Sequence, residues 1–569
     1  MSADTTEQVE KFLGFNLPSD SALQQARLQA LATGLIGEVT PTSLVSFSSS
    51  GILAIVGPLP SALAVAQELP EVDVDGCLVV ATEGGDPGTT EIREVEGRSL
   101  PVVFGKPAAI EGYLGKFLIS LMRDGTEMDL AKAMELPGGA VDIVLDLLRE
   151  PLLTPEVLPP GYFAPRGDSV ALDEACQSIR DLKGQFEKPL YVLYDSDICA
   201  HGARGINGCR RCLDVCPADA LSTVGEQISV DTHLCHGMGS CSSACPTGAL
   251  SYAYPNRVDT LNRLRRTINE FGKQTGRVPD LAFFGGEEGG AQLSEHILEI
   301  PDHVIPWRDE EVGSTGPEVW LSTIAYGARS ITVLTFPQTP PSVCVSVERQ
   351  ASEVNAMLSG LGWTGDTVKV IPVGEEIGSP WSVNGEVAAE ITSDWKSATY
   401  AGIEDKRTVL RAAIDHLVAQ TCDAPSEIAL PTGVPFGEVR VDREKCTLCM
   451  GCVSVCPTGA ILDNKDRPCL SFIEWNCVQC GLCENACPEG AIDLKARLLT
   501  DSNIRMERRI LNEEEPFKCL GCGKPFTTQS MIEKMEEKLA GHRMFEGDGM
   551  RRLKLCEDCR VKDMFKEKS

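Results

Sequence analysis

Short apolar runs and amphipathic stretches alternate along residues 1–165 of the chain. The runs are bounded by glycine, proline or acidic residues and predict strands, while the stretches between them have helical spacing. The predicted strands are 51–56, 77–81 and 141–147, and the predicted helices include 60–69 and 110–123. Such alternation predicts an α/β domain. The segment has no Walker loop and no Gly-x-Gly-x-x-Gly motif, so no nucleotide site is predicted in it.

Residues 257–430 repeat this alternation and predict a small doubly wound domain. The predicted strands are 281–284, 330–336 and 368–373, and the predicted helices are 317–326, 346–361 and 406–420. Glycine pairs at 285–286 and 289–290 follow the first strand, but Glu287 and Glu288 between them would repel phosphate. We therefore expect a turn there rather than a nucleotide site.

Composition and charge narrow the classes of function. With 569 residues, 43% of them hydrophobic and 24% charged, the chain is long enough for several domains with ordinary cores. Its net charge of −30 disfavours binding to nucleic acid or to anionic membranes. No apolar stretch is long enough to span a bilayer, and residues 1–10 lack the features of an export signal. We expect a cytoplasmic protein that is not inserted in a membrane.

Nineteen of the 24 cysteines fall into five sets with metal-ligand spacing. Two runs of C-x2-C-x2-C-x3-C-P, beginning at Cys446 and Cys477, have the pattern of a bacterial two-cluster ferredoxin, in which the fourth cysteine of each run ligates the other cluster. Thiolates at this density select iron–sulfur clusters. Two 4Fe-4S clusters are predicted, one held by Cys446, Cys449, Cys452 and Cys487 (site A) and one by Cys477, Cys480, Cys483 and Cys456 (site B).

A second, altered ferredoxin lies upstream of the first. A third 4Fe-4S cluster is predicted at site C, which consists of Cys199, Cys209, Cys212 and Cys245. Its first ligand is displaced by a glycine-rich spacer, residues 200–208, which we expect to bulge out as a loop. The loop carries His201, which we expect to be solvated, with a role as a ligand as the alternative.

The remaining set of this module has only three thiolates, Cys216, Cys235 and Cys241, here named site D. Met238 stands where the second cysteine of the run is expected, and a thioether is a weak ligand beside thiolates. Three outcomes are open: a 3Fe-4S cluster, an atypical 4Fe-4S cluster with another fourth ligand, or an empty site. We favour the three-iron cluster.

One short element is repeated four times at the ends of these runs. Each copy is Cys-Pro, two further residues, and then Ala-Leu or Ala-Ile, and the copies begin at Cys216, Cys245, Cys456 and Cys487. Proline ends the cluster loop, and glycine, or Asp219 in the first copy, is expected to turn the chain into a short strand. Alternating residues ahead of the ligands predict small hairpins over the clusters.

A fifth set of cysteines lies near the C-terminal end. Two C-x2-C pairs flank a predicted helix at 528–539 and predict a four-cysteine zinc ribbon with no open position for catalysis. A single iron in a rubredoxin-like site is the alternative. This tail site consists of Cys519, Cys522, Cys556 and Cys559. The other five cysteines are expected to be small buried hydrophobes, namely Cys77, Cys176, Cys344, Cys422 and Cys469.

Two segments carry a resemblance to a known family. The run from Ile198 to Pro217 resembles a proteobacterial family of large cytoplasmic 4Fe-4S-binding proteins, and its motif is C-A-H-G-A-R-G-I-N-G-C-R-R-C-L-D-V-C-P. The tail resembles the same family in its motifs C-L-G-C-G-K-P-F and L-C-E-D-C-R. Members of that family are typically encoded beside formate dehydrogenase and molybdoenzyme chaperones. The resemblance implies a redox partner, formate dehydrogenase or a related molybdoenzyme. Residues 257–430 are also similar to the delta subunit of methyl-viologen-reducing hydrogenases, although only Cys344 stands where that subunit needs several cysteines.

These patterns predict an α+β multidomain protein in which two bacterial-type two-cluster ferredoxin modules are interleaved with two α/β domains and followed by a zinc ribbon. The expected domains are 1–165, 190–256, 257–430, 436–497 and 515–569. The expected function is the relay of single electrons between a redox enzyme and an acceptor. Two alternatives stay open: an assembly or redox-sensing scaffold for a molybdoenzyme, and a flavin-containing oxidoreductase subunit. No catalytic Ser-His-Asp or Cys-His set is recognisable, so we favour a carrier without catalysis of its own.

Overall fold

The chain folds into a series of α/β and small β-rich units. The computed structural model describes residues 3–69, 76–95, 97–123, 125–374, 395–545 and 548–566. Within these ranges, no helix is both long enough and apolar enough to cross a membrane.

Two N-terminal helices, α1 (Ala3–Leu13) and α2 (Ala22–Gly34), pack against a domain that lies much later in the chain. Leu13 and Leu31 are fully buried in the same hydrophobic core as Leu264. The Arg27 guanidinium donates a hydrogen bond to the carbonyl oxygen of Val304 at 3.2 Å. These helices therefore do not belong with the rest of the expected 1–165 domain, because residues 257–430 bury their apolar faces.

Residues 44–189 form the first α/β unit around a six-stranded sheet. The sheet has the strand order β10-β9-β2-β3-β5-β4, and its strands are parallel except for the edge strand β4. Outside this sheet, β1 pairs with β11, and β6, β7 and β8 form a separate meander. The predicted strands 51–56, 77–81 and 141–147 are confirmed as β2, β3 and β9. The elements are β1 Leu44–Ser49, β2 Ile52–Gly57, α3 Leu59–Glu68, β3 Gly76–Ala81, β4 Thr90–Val95, β5 Arg98–Phe104, β6 Pro107–Glu111, β7 Leu118–Arg123, β8 Thr126–Asp129, α4 Leu130–Ala133, β9 Ile143–Asp146, β10 Tyr162–Phe163, α5 Ser169–Arg180 and β11 Gly184–Pro189.

The helix predicted at 110–123 is wrong, because this segment forms the end of β6, a turn and β7. Ile119 and Leu121 are buried two residues apart, which is the period of a strand. Gly112 and Gly115 between the strands have φ values of 116° and 84°, which no residue inside an α-helix adopts. The chain therefore turns where the apolar spacing alone suggested a continuous helix.

The next unit, residues 192–252, is small and has short strands around a cysteine-rich centre. β12 pairs with β17, and β15 and β16 form the hairpin predicted ahead of Cys235. Spacer 200–208 forms a tight hairpin of β13 and β14 rather than an open loop. The elements are β12 Val192–Tyr194, β13 Gly202–Ala203, β14 Ile206–Asn207, β15 Leu221–Val224, β16 Gln227–Val230, α6 Ser240–Ala244 and β17 Leu250–Tyr252.

The second α/β unit has a four-stranded parallel sheet in the order β19-β18-β20-β21. All three strands and all three helices predicted in this region are confirmed, and β19 is an additional strand. The glycine pairs at 285–290 form the start of helix α8 instead of a simple turn. The elements are α7 Arg257–Thr275, β18 Asp280–Gly285, α8 Gly286–Ser294, β19 Val304–Asp309, α9 Pro317–Ala325, β20 Ile331–Thr335, α10 Pro341–Gly360, β21 Val368–Pro372 and α11 Lys406–Gln420.

A second cysteine-rich unit and a short tail complete the chain. Ile428, Phe436 and Leu498 of this unit enter the core of the preceding α/β unit, so the two are packed together. The tail helix predicted at 528–539 is confirmed as α15. The elements are β22 Glu427–Ala429, β23 Gly437–Val441, α12 Gly451–Val455, β24 Ile461–Leu462, β25 Cys469–Phe472, α13 Leu482–Asn485, β26 Ile492–Leu499, α14 Ser502–Met506, β27 Arg509–Glu513, β28 Pro516–Lys518, β29 Pro525–Thr528, α15 Gln529–Leu539, α16 Asp548–Leu553 and α17 Glu557–Lys566.

The placement of the N-terminal helices can be tested by truncating one buried side chain. Leu31→Ala removes apolar contacts that α2 makes with the core of residues 257–430, where Trp320 is fully buried. We expect the free energy of unfolding of this core to fall by about 2–5 kcal/mol. Urea unfolding followed by tryptophan fluorescence measures this change. Leu44→Ala is the matched control, since Leu44 is 58% exposed and its loss should cost less than about 0.5 kcal/mol. Equal transitions in both variants would contradict this placement.

Candidate metal centres

The four repeated Cys-Pro elements have the same backbone turn. The third residue after each cysteine has a positive φ, with values of 49° at Asp219, 84° at Gly248, 61° at Gly459 and 57° at Gly490. This conformation favours glycine and is tolerated by aspartate, so the turn predicted from the repeat is confirmed at all four positions. Each turn leads the chain from its cysteine into a short apolar segment.

The four cysteines of site A lie around one cavity, between the loop at 446–452 and Cys487. Leu470 and Ile492 provide an apolar wall for this cavity. Burial raises the pKa of the Cys452 thiol to about 12, and the charges of Cys446 and Cys449 add to the effect. Cys449 differs from its neighbours because its side chain is exposed. Site A therefore has one face open to solvent.

The four cysteines of site B lie around a second cavity, with Val439 and Leu494 among its other lining residues. Cys477 accepts hydrogen bonds at its Sγ from the backbone N–H of Gln479 at 3.5 Å and from Gln479 Nε2 at 3.3 Å. Burial raises the pKa of the Cys477 thiol, while these donors act in the opposite direction. N–H donors that point at sulfur stabilise thiolates and tune the potential of a cluster that they hold.

The four cysteines of site C are also brought together. Burial raises the pKa of Cys212 to about 12, and the three other cysteines of the set, Cys209, Cys245 and Cys199, are the charged neighbours that raise it further. His201 is only 3% exposed, so the expectation of a solvated side chain is wrong. Its Nδ1 donates to the carbonyl oxygen of Cys209 at 2.9 Å, which holds the spacer hairpin against the site.

Site D brings together Cys216, Cys235 and Cys241. Desolvation raises the pKa of the half-buried Cys241 well above the usual value, and Cys235 and Cys216 contribute as charged neighbours. The Met238 side chain packs against the hydrophobic core of the second α/β unit. The neighbouring backbone is tightly enclosed, since a Cβ on Gly313 would lie 2.5 Å from the Met238 carbonyl oxygen.

Elements that carry or flank the cysteines of successive sites pack together in the order A, B, C, D, since α12 contacts α13, α13 contacts β14, and α6 contacts the turn at Leu213–Val215. The charge of Cys452 in site A raises the pKa of Cys483 in site B. The charge of Cys209 in site C likewise raises the pKa of Cys480 in site B. Cys212 and Cys245 of site C likewise act on Cys241 of site D. Each site is therefore an electrostatic neighbour of the next, although sites B and C belong to different modules.

The contact between sites B and C is made by the spacer hairpin of one module and helix α13 of the other. Asn485 Nδ2 donates to the carbonyl oxygen of Asn207 at 3.0 Å. A Cβ at Gly208 would lie 2.5 Å from Leu482 Cγ and 2.7 Å from the Ala200 carbonyl oxygen, so only glycine fits at this position. The Arg211 guanidinium donates to the Gly433 carbonyl oxygen next to this contact. The two modules are thus docked at their inner sites.

Two buried cations at the start of α11, Lys406 and Arg407, flank the same contact. Lys406 Nζ donates to the carbonyl oxygens of Ser242 and Ser243 beside site C, at 2.8 and 2.6 Å. Arg407 donates to the carbonyl oxygen of Cys477 in site B at 3.1 Å. Sequence reasoning predicted the helix but missed these residues. Two cations in a first helical turn oppose the helix dipole, and this conflict was the available signal.

The tail site is geometrically different from the other four. Its thiols, Cys519, Cys522, Cys556 and Cys559, all lie within 4.8 Å of one another. Burial acts to raise the pKa of Cys519, but backbone N–H donors from Cys556, Gly521 and Cys522 bring it down to about 6. A thiol that ionises readily in a four-cysteine set suits a metal ion.

Among the residues that the structure describes, the tail site is the one group of at least three His, Cys, Asp or Glu donors within 4.8 Å of one another. The thiols of sites A to D form no such group, as expected of ligands that surround a cluster of several irons rather than a single ion. Several thiolates buried together need compensating positive charge, which the irons would supply. The residues present thus fit iron–sulfur clusters.

The five other cysteines are only partly as expected. Cys176 and Cys469 are buried, and Cys77 and Cys344 are half-buried. Cys422 is exposed, so its predicted burial is wrong, because it lies in the turn that follows α11.

Comparison with known proteins assigns the cysteine-rich units. A model of a 4Fe-4S dicluster domain matches residues 191–246, a model of a 4Fe-4S binding domain matches 439–462, and another 4Fe-4S dicluster model matches 476–527. No curated protein matches the chain. The matched segments contain every cysteine of sites A to D. The chain is therefore an iron–sulfur protein with several ferredoxin-type 4Fe-4S domains, and its tail has a four-cysteine site suited to a metal ion.

Proposed function

We propose that this protein relays single electrons along a row of four clusters, from site A through B and C to site D or in the reverse direction. The observation that carries the proposal is the docking of site B against site C, which joins two ferredoxin modules into one series of neighbouring cysteine sites. Two unconnected ferredoxins would not need this contact. Each step transfers one electron between adjacent clusters, with no bond made or broken.

The proposed ligands are those predicted from the sequence. Sites A, B and C each offer four thiols to a 4Fe-4S cluster, held by Cys446, Cys449, Cys452 and Cys487 at site A, by Cys456, Cys477, Cys480 and Cys483 at site B, and by Cys199, Cys209, Cys212 and Cys245 at site C. Site D offers Cys216, Cys235 and Cys241, which suit a 3Fe-4S cluster or an atypical 4Fe-4S cluster. The tail site suits structural zinc, since four thiolates leave no open position.

The two ends of the row are proposed to have different roles. Site A has the exposed Cys449, which would allow exchange with a partner protein. Site D is covered, since Lys188 of β11 donates to the Cys235 carbonyl oxygen at 2.8 Å and the Val312–Ser314 turn encloses Gly239. The partner proposed from the family resemblance is formate dehydrogenase or a related molybdoenzyme, in the cytoplasm. The α/β units would then hold the modules in place and offer docking surfaces.

Reduction by formate tests the carrier function and its partner together. Under anaerobic conditions, formate plus catalytic formate dehydrogenase should bleach the visible absorption of the clusters at a rate close to the turnover of the enzyme. A carrier must accept electrons as fast as its donor delivers them, whereas a scaffold need not. Stopped-flow absorption spectroscopy measures the rate.

Dithionite provides the control, because it reduces accessible clusters without a protein partner. Bleaching by dithionite alone would reject formate dehydrogenase as the donor, and failure of every enzymatic donor would favour the assembly factor. Flavin absorption in the isolated protein would instead favour an oxidoreductase subunit.

Substitution of Met238 tests the cluster at site D. We expect the oxidised wild-type protein to show the paramagnetic signal of a three-iron cluster, because site D has three thiols. Met238→Cys supplies a fourth thiolate and should remove that signal while adding about one iron atom per chain. Electron paramagnetic resonance and iron analysis measure these changes. Met450→Cys is the matched control, since Met450 follows Cys449 in a site that already has four thiols. A diamagnetic oxidised wild type with full iron content would reject the three-iron cluster.

Metal analysis tests the tail site separately. Cys522→Ser should remove about one zinc ion per chain and leave the iron content unchanged, because Cys522 lies in the four-thiol tail group. Cys422→Ser is the control, since Cys422 is also exposed and belongs to no proposed site. Loss of iron instead of zinc would establish a rubredoxin-like centre.

A further inference from the structure

Arg407 is a buried cation that has no ion-pair contact with a carboxylate among the described residues. Its side chain is 7% exposed, and its guanidinium lies over the Phe436 ring at 4.6 Å. It donates to the carbonyl oxygens of Pro435, Trp475 and Cys477, at 3.1, 3.2 and 3.1 Å. Among the residues described by the structure, no carboxylate lies within 4.0 Å of it. These carbonyl groups satisfy most of its hydrogen bonds but leave its charge uncompensated.

The surrounding charges make this burial more costly. The positive charges of Arg411 and Arg211 repel that of Arg407 and lower its pKa. The carboxylate of Asp405, at the start of α11, attracts it and acts in the opposite direction. A desolvated charge is strongly unfavourable unless an opposite charge lies close to it. An anion on the side of Arg407 that faces Cys477 would offset this cost.

A cluster at site B would be that anion. Four thiolates around a 4Fe-4S core carry a net negative charge, which becomes more negative by one electron on reduction. Arg407 contacts the backbone of Cys477, and the charge of Cys477 acts on Arg407 in the favourable direction. In a medium of low dielectric constant, a fixed cation stabilises the reduced state more than the oxidised state.

We propose that Arg407 is the buried counter-charge of the cluster at site B and that it raises the reduction potential of this cluster, so that an electron on the relay is held preferentially at the junction of the two modules. This inference rests on the proposed function only in requiring a cluster at site B. The electron comes from a reduced partner protein, or from dithionite in a titration, and no bond changes.

Lys406 provides an internal comparison. It is 3% exposed and lies equally close to the junction, but its Nζ is 3.4 Å from Glu318 Oε1. Arg257 Nε contacts the same Glu318 oxygen at 3.3 Å, so this carboxylate offsets part of the charge of Lys406. We therefore expect Lys406 to have a smaller effect on site C than Arg407 has on site B. The two adjacent cations thus differ in that, among the described residues, only Lys406 has a carboxylate in ion-pair contact.

A redox titration of the full-length protein, monitored by electron paramagnetic resonance, tests the proposal. Cys480→Ser changes one ligand of site B and identifies the component of the titration that belongs to it. Arg407→Gln removes the charge but keeps a hydrogen-bond donor. In this variant we expect the reduction potential of the site B component to fall by about 59 mV or more, which is a shift of at least tenfold toward the oxidised state for a one-electron couple. Arg407→Lys, which keeps the charge, should retain most of the wild-type potential.

Arg411→Gln controls for loosening of the loop, because Arg411 also donates to the Trp475 carbonyl oxygen, at 2.9 Å, but does not contact Cys477. The proposal would be overturned if Arg411→Gln lowered the reduction potential of site B as much as Arg407→Gln does. It would also be overturned if Arg407→Gln had its full iron content and an unchanged site B potential. Loss of folding in both Arg407 variants would also overturn it, since lysine preserves the charge. Absence of any titrating component at site B in the wild type would instead reject the proposed relay.

Discussion

The close contact between sites B and C is the constraint on which the rest of the structure depends. A ferredoxin module by itself supplies only a pair of neighbouring sites, and the second pair must be held against it. Gly208 allows the spacer hairpin to approach Leu482 more closely than any side chain would permit. The displacement of Cys199 from the usual spacing, which looks like an irregularity in the sequence, therefore provides the surface that joins the two modules.

The α/β units follow from this requirement. The unit at 257–430 lies between the modules in sequence, and its helix α11 reaches both inner sites through Lys406 and Arg407. The unit at 44–189 covers the opposite end, where the Tyr113 and His233 rings stack at 4.1 Å. One end of the row is thus enclosed by protein, while Cys449 at the other end is exposed. The architecture gives the row of sites two chemically different ends.

Much of this could be predicted from sequence because cysteine spacing is a local property. The cysteine spacing of the ferredoxin modules, the turns at Asp219, Gly248, Gly459 and Gly490, and the core strands β2, β3, β9, β18, β20 and β21 follow from short-range patterns. The position of α1 and α2 could not be predicted, because their partner lies more than two hundred residues away. The burial of His201 was missed for the same reason: a side chain in a glycine-rich spacer is solvated unless a distant segment covers it.

The start of α11 shows how a local conflict can indicate a distant function. Cations in a first turn are opposed by the helix dipole, by about 0.3–1 kcal/mol each at an exposed site, and burial adds a larger cost. Lys406 recovers part of this cost from Glu318 and from two carbonyl groups of α6. Within the part of the chain that the structure describes, Arg407 has the carbonyl groups but no carboxylate at ion-pair distance. An anion beside Cys477 would stabilise that charge, and site B is where the cysteine pattern independently predicts one. The arrangement of charge and the arrangement of ligands therefore lead to the same position in the molecule.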